Sequence, residues 1–184
     1  RTDAAALAAM LHKLDQFPAP TIARVQGAAF GGAVGLVSCC DIAVASQRAS
    51  FCLSEVKIGL LPATISPYVI NAIGTRQARR YFVTAERFSA ERAQEIGLVS
   101  EVVPEGELDL TVQKLVNNIT DNGPNAVTMA KQLAMSMSNR VVNDELQGQT
   151  SALIAAVRVS PEGQEGLSAF LEKRAPSWMN TSED

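Results

Sequence analysis

Gly27-Ala28-Ala29-Phe30-Gly31-Gly32-Ala33-Val34-Gly35-Leu36-Val37-Ser38-Cys39-Cys40 stands between two runs that read as strands. Before it, Pro20-Thr21-Ile22-Ala23-Arg24-Val25-Gln26 is short, partly β-branched and bounded by proline and glycine, the punctuation of a strand. After it, Asp41-Ile42-Ala43-Val44-Ala45-Ser46 reads the same way, and Phe51-Cys52-Leu53 reads as a shorter third strand. The stretch itself reads as a tight loop over residues 28–32 that opens a helix running to Cys40. That helix is apolar almost all round, so it is expected to be buried. Strand, helix and strand in succession predict a layered α/β core.

Outward from this centre the pattern is helical. Leu7, Met10, Leu11 and Leu14 form one apolar face over residues 4–16, stopping near Pro18. Downstream, helices are expected over 66–74 and 76–84, separated by Gly74, and over 90–96, ended by Gly97. A brief strand over 98–103 precedes a helix marked by Leu108, Val112, Leu115, Val116 and Ile119. Pro124 suits the first turn of the next, with Val127, Ala130, Leu133, Ala134 and Met137 on its inner face. Leu146, Leu153, Ile154 and Val157 mark another. Ser160 as N-cap and Pro161 at the first helical position open the last, which carries Leu167, Phe170 and Leu171 before Pro176. The change from strand-rich to all-helical predicts two regions. Residues 1–103 form the core, and residues 104–184 form a helical region that packs on it or on a neighbouring subunit.

Composition narrows the function classes. A hydrophobic content of 47% with 19% charged residues excludes disorder, and 184 residues suffice to bury a core without staples. A net charge of −3 leaves no basic footprint, so no nucleic-acid partner is expected. Cys39, Cys40 and Cys52 make neither a paired framework nor a zinc spacing, and they read as small core hydrophobes with no metal site implied. The apolar runs fall well short of the ~20 residues of a membrane span, and no basic-then-apolar leader opens the chain. The expected location is cytoplasmic, or the mitochondrial matrix in a eukaryote. His12, the only histidine, lacks an identified base or metal partner and reads as a surface residue.

Two features carry chemistry. At Phe30-Gly31-Gly32-Ala33 a strand gives way through glycines to a helix N-terminus, where N–H groups have no internal partner and the dipole is positive. The residues alone leave two readings open there: a turn that needs positive φ, and a cradle for an anion or a developing oxyanion. Glu55 is flanked by Phe51, Leu53, Val56 and the apolar run Ile58-Gly59-Leu60-Leu61-Pro62. Embedded there, its ionised form would be costly, as suits a general acid/base. The alternative is a surface glutamate or a partner for Lys57.

Taken together with Cys40-Asp41-Ile42-Ala43-Val44-Ala45, the two features resemble the crotonase (enoyl-CoA hydratase/isomerase) superfamily. The resemblance runs from Pro18-Ala19-Pro20-Thr21-Ile22-Ala23 through the glycine turn and Phe51 to Pro62. It continues in Ala90-Glu91-Arg92-Ala93-Gln94-Glu95-Ile96-Gly97-Leu98-Val99 and closes at Ala169-Phe170-Leu171-Glu172-Lys173-Arg174. Leu53-Ser54-Glu55-Val56 and Pro62-Ala63-Thr64-Ile65-Ser66-Pro67-Tyr68 look most like the 3-methylglutaconyl-CoA and isohexenylglutaconyl-CoA hydratases of leucine and acyclic-terpene breakdown.

The resemblance implies a spiral of ββα units followed by a helical trimerisation region, assembled as a homotrimer or a hexameric dimer of trimers. It implies an acyl-CoA substrate, with coenzyme A as part of that substrate and no separate cofactor. By its motifs, Gly32 supplies one of two backbone N–H groups of an oxyanion hole, and Glu55 is the catalytic acid/base. Ala28, Phe30, Gly31, Gly35 and Pro62 are implied to line the acyl-CoA pocket. Phe170 and Lys173 match an aromatic and a basic residue that help hold the CoA adenine and 3′-phosphate, with helix packing the alternative for Phe170.

The sequence departs from the family in two places. Gly35 stands where two-glutamate hydratases carry their first catalytic glutamate, so only Glu55 remains. The family's initial ββα turns, with the other oxyanion donor, have no counterpart before Arg1, and a piece of a longer protein is therefore expected. The expected activity is hydration of a C2–C3 double bond in a branched, 3-methylglutaconyl-like acyl-CoA. The alternatives are double-bond isomerisation at the same site and, in another class, a non-catalytic crotonase-fold assembly or RNA-binding protein.

Overall fold

The computed structural model describes residues 2–179, so Arg1 lies outside the described residues. By internal packing the chain divides into two compact units, one running to Lys114 and the other from Leu115.

The first unit begins with α1 (Thr2–Asp15) and then repeats a strand–strand–helix turn. β1 (Ile22–Val25), β2 (Ala28–Phe30) and α2 (Gly32–Cys39) form one turn. β3 (Ile42–Ser46), β4 (Ser50–Cys52), a 3-10 turn at Glu55–Ile58 and α3 (Ser66–Thr84) form the next. β5 (Phe88–Ser89), α4 (Ala90–Glu95) and β6 (Glu101–Val103) follow. Successive turns stack side by side. β3 pairs in parallel with β1, Ile22 opposite Ile42, and β4 pairs in parallel with β2, Ala28 opposite Ser50. The result is two three-stranded sheets, ordered β1-β3-β6 and β2-β4-β5, with only the β4–β5 pair antiparallel.

Residues 28–30, expected as part of a loop, are instead the first strand of the second sheet. The chain leaves one sheet at Gln26, whose carbonyl accepts a 2.6 Å hydrogen bond from the fully buried Ser46 hydroxyl. It enters the other at Gly27, whose carbonyl accepts from the Ser50 amide at 3.3 Å. A three-residue strand shows no alternation that a sequence pattern can register. The register of the first sheet is pinned by Asp41, whose carboxylate accepts from the Thr21 amide at 2.7 Å and the Thr21 hydroxyl at 3.0 Å.

The core lies between α2, α3 and the two sheets. Val34, Val44, Phe51, Leu53, Ile65, Val69 and Tyr81 are at most 2% exposed. Phe88 stacks on Phe51 at 5.6 Å and against Tyr81 at 4.3 Å between ring centroids. Tyr81 satisfies its hydroxyl at the core edge by accepting from Arg92 Nε at 3.1 Å. α2 is buried along Val34, Gly35, Val37 and Cys39, yet Leu36 is exposed, so the all-round burial expected of it does not hold. Gly74 interrupts α3 with φ 75°, at the break expected between two helical runs.

α5 (Leu108–Thr120) spans the division between the units. In the second unit, α6 (Pro124–Met137), α7 (Asp144–Arg158) and α8 (Pro161–Glu172) are held largely by polar ties. Ser160 caps α8 by accepting from the Gly163 amide at 3.0 Å, as its spacing predicts. Glu162 caps α6 from α8, accepting from the amides of Asn125 at 3.0 Å and Ala126 at 2.7 Å. The Arg174 guanidinium donates to both oxygens of Glu165 at 2.7 and 2.9 Å, and the Ser177 amide donates to Glu165 at 2.7 Å. This fork brings back the segment carrying Trp178, whose indole N–H donates to the Asp121 carbonyl.

The Arg174 fork, with the Ser177 amide, pulls the Glu165 carboxyl down from the ordinary 4.5 to about 2. Its folded value lies below its unfolded one. The contribution is therefore fully present above the unfolded value and is lost as pH falls through the folded one. Trp178, the only tryptophan, reports this directly. Its emission should stay constant from neutral pH to about 5 and shift to the red as the pH falls toward about 2. Glu165→Gln should show the shifted emission already at neutral pH, whereas an acid shift identical in both proteins would contradict the assignment.

Candidate active site

The glycine turn between β2 and α2 is the centre of the site. The Gly31 amide donates to the Cys52 carbonyl at 2.8 Å, and the residue then turns with φ 54° and ψ −120°, a conformation that favours glycine. Gly32 is the first residue of α2, so its N–H has no carbonyl one turn back within the helix. It sits at the positive end of the dipole, where negative charge is stabilised.

Glu55 reaches this turn from the neighbouring strand. β4 pairs with β2, and after the buried Leu53 the chain enters the short 3-10 turn that Glu55 begins. The Glu55 carbonyl accepts from the Leu60 amide at 3.1 Å, and Gly59 ends the turn at φ 76°. The side chain folds over Gly31: a Cβ built on that glycine would lie 3.2 Å from Glu55 Oε1. A side chain there would press on the carboxylate, and the positive φ already favours glycine. Glu55 Oε2 is buried without a hydrogen-bond partner among the described residues. A buried acceptor left in that state calls for a functional explanation, because native folds pair nearly all such groups.

The expected apolar blanket over Glu55 is absent on one side. Phe51 and Leu53 are buried, but Val56 is 37% exposed, Ile58 75%, Leu60 60% and Leu61 70%. Val56 and Ile58 lie in the 3-10 turn and Leu60 and Leu61 just after it, and it is toward Gly31 that the Glu55 carboxylate turns. Gly35, one turn further along α2, is buried, and Pro62 is buried in the connection to α3. Ala28 is exposed on β2. Phe30 is half-buried, with the Arg87 guanidinium 4.9 Å above its ring.

Glu55 is thus brought to Gly31, with Phe30, Gly32 and Gly35 beside that glycine along the chain. Phe170 and Lys173 belong to the second unit, Phe170 80% exposed and Lys173 in the left-handed cap that ends α8. Two neighbours were not singled out from the sequence: Arg87 over Phe30, and Ile65, which meets Gly35. Nothing local marks either, because each contact joins residues far apart in the chain.

The remaining reactive groups stand apart from this chemistry. Burial pushes the Cys39 thiol up to about 12, far from a nucleophilic thiolate. Cys52 donates from Sγ to the Ala85 carbonyl at 3.3 Å. His12 is exposed on α1. Among the described residues no cluster of three or more His, Cys, Asp or Glu could hold a metal ion.

Comparison with known proteins identifies the family and the fold. The enoyl-CoA hydratase/isomerase family model matches residues 3–181. The chain is 34% identical to 2,3-dehydroadipyl-CoA hydratase of Escherichia coli, over 90% of this chain and 65% of that protein. It is 32% identical to the human mitochondrial enoyl-CoA hydratase domain-containing protein 3, over 93% of this chain and 56% of that protein. The crystal structure of an enoyl-CoA hydratase from Shewanella pealeana superimposes with a TM-score of 0.90 at 51% identity, covering 96% of this chain and 66% of that one. The chain therefore spans less than two thirds of the length of the curated relatives it matches. With the family model matched along almost its whole length and the same fold in relatives of this identity, the chain belongs to the enoyl-CoA hydratase/isomerase family, with the crotonase fold.

Proposed function

We propose that the protein adds water across the C2–C3 double bond of an α,β-unsaturated acyl-CoA, with Glu55 as acid/base and the Gly32 N–H as one oxyanion donor. The observation that carries this reading is the buried, unpartnered Oε2 of a Glu55 carboxylate whose other oxygen lies against the glycine turn from which the first helical amides of α2 emerge. The Glu55 carboxylate takes a proton from water as the water oxygen bonds to C3. The C2–C3 π electrons move toward the thioester, and negative charge collects on its oxygen. The Gly32 N–H faces that charge at the helix dipole's positive end, a term worth ~3–4 kcal/mol per donor in sites of this kind. Protonated Glu55 then gives its proton to C2, which closes the cycle with the carboxylate restored.

The finer substrate we infer is branched and 3-methylglutaconyl-like. Support comes from Leu53-Ser54-Glu55-Val56 and Pro62-Ala63-Thr64-Ile65-Ser66-Pro67-Tyr68, the segments on either side of the candidate acid. In the same reading Ala28, Phe30, Gly31, Gly35 and Pro62 line the acyl pocket, and Phe170 and Lys173 serve the adenine and 3′-phosphate of CoA. Double-bond isomerisation is the second reading, and one observation favours it: α2 bears no acidic residue, and a single carboxylate suffices to move a proton between two carbons. Supplying 2-enoyl-CoA and 3-enoyl-CoA separately tells the two apart. Hydration gives a 3-hydroxyacyl product from the first, and isomerisation consumes the second without taking up water.

The assembly we propose is a homotrimer or a dimer of trimers, with residues 104–184 as the oligomerisation region and residues 1–103 as the partial spiral core. Helices α6, α7 and α8 support it by what they leave uncovered. α6 has no buried residue, α7 buries Leu146 and α8 buries Ala169. Met129, Leu133, Leu153 and Ile154 line an apolar groove of about 190 Å³ between α6 and α7. Helices with surplus apolar faces bury them against a symmetric partner. No helix among the described residues is long and apolar enough to cross a membrane, and we place the protein in the cytoplasm, or in the matrix of a eukaryote.

In the full-length protein, Glu55→Gln should lower turnover by at least ~100-fold, the low end of general acid–base contributions, with little change in acyl-CoA affinity. Near-normal hydration by this variant would remove Glu55 from the mechanism. Sedimentation equilibrium should give a mass that is a multiple of three subunits, and a stable monomer at micromolar concentration would refute the proposed assembly.

A further inference from the structure

Gly35 has no room for a side chain. A Cβ built there would lie 2.2 Å from Cγ2 and 2.7 Å from Cβ of Ile65, closer than atoms approach. Ile65 cannot easily give way. It is 1% exposed, it is the N-cap residue of α3, and its carbonyl accepts from the Val69 amide at 3.0 Å. The connection that leads to it is itself fixed, with Pro62 buried and the Ala63 carbonyl accepting from the Ser66 hydroxyl at 2.8 Å.

The same connection begins with Glu55, whose carboxylate rests over Gly31. Gly31 and Gly35 are four residues apart, about one helical turn. Two side chains from one loop therefore lie against the same helix one turn apart. One is the candidate acid, and the other is a branched alkyl group that takes up the space of a side chain at position 35.

We propose that Ile65 is a positioning residue for the reaction. By filling the space at Gly35, it sets the distance between α2 and the segment from Glu55 to Ile65. It thereby holds the Glu55 carboxylate over Gly31, the residue that precedes the Gly32 amide, and keeps position 35, one turn along α2, apolar. The inference rests on the reading of Glu55 as acid/base. Its physical basis is that two groups acting on one thioester tolerate little relative displacement, and here they sit on separate elements that meet at this contact.

The test uses the full-length protein with Gly35→Ala, Ile65→Ala, the double variant and Ile65→Val. Melting temperature, acyl-CoA affinity, kcat and KM are measured, the kinetics well below the melting transition. Gly35→Ala should lower the melting temperature by ~4 °C or more through overpacking, and the double variant, which removes the Cγ2 contact and keeps the Cβ one, should recover part of that loss. Ile65→Ala should lower kcat roughly tenfold with KM changed less than about twofold, and Ile65→Val should restore most of the rate. Absence of thermal recovery in the double variant would overturn the steric pairing. A melting shift in Ile65→Ala without loss of kcat would reduce Ile65 to packing and overturn the positioning role. If Ile65→Ala does not fold, Gly35→Ala combined with Ile65→Val tests the pairing in the opposite sense. Valine keeps the Cβ and γ-methyl that meet position 35, so it should recover none of the loss, and recovery would overturn the steric pairing. An unchanged kcat in Gly35→Ala would then overturn the positioning role. Failure of the Glu55 reading is distinguishable, because it appears as retained turnover in Glu55→Gln while the thermal coupling of positions 35 and 65 is read without turnover.

Discussion

The carboxylate of Glu55 lies within 3.2 Å of where a side chain on Gly31 would begin, and the site depends on that approach. It requires a helix whose first turn is bare on one face, which Gly31 and Gly35 supply. It also requires a neighbouring segment held at a fixed height above that helix. The stacked turns provide this, because β2 and β4 run side by side and deliver the glycine turn and Glu55 from the same end of one sheet. Parallel pairing is what makes the ends coincide. An antiparallel partner would have carried Glu55 to the opposite edge.

This arrangement works against stability locally. A buried acceptor without a partner costs about 1–3 kcal/mol, and Gly35, inside α2, forgoes the helix propensity of a larger residue. The compensation lies behind the site. Phe51, Leu53, Ile65, Val69 and Tyr81 form a close-packed layer under β4 and α3, and Phe88 joins it through ring contacts. Sites that keep an unsatisfied acid over a rigid core are a common form of the exchange between stability and activity.

The second unit has a different economy of forces. Its helices are fastened at their ends by Ser160, Glu162 and the Glu165–Arg174 fork, which satisfy amides that helix termini leave open. End caps fix direction and length but bury little apolar surface. The apolar faces of α6, α7 and α8 therefore remain available within the chain, and this property makes assembly the natural reading of that region.

Helices were legible in the sequence because their signals are local. Pro124, Ser160 with Pro161, and the break at Gly74 all act within a turn or two of themselves, and each lies where the pattern places it. The candidate acid and the glycine turn could be named because residues 30–32 and 51–62 resemble a known motif, although composition and spacing left each with an ordinary alternative. What the sequence could not determine was set by partners far along the chain. Strand β2 exists because it pairs with β4, twenty-two residues on in register, and three residues are too few to show a period. Ile58, Leu60 and Leu61 after Glu55 are apolar yet exposed in this chain, because hydrophobicity alone does not say what stands opposite. The bareness of Gly35 acquires its meaning only from Ile65, thirty residues later, since a steric limit is a property of two surfaces and sequence describes one at a time.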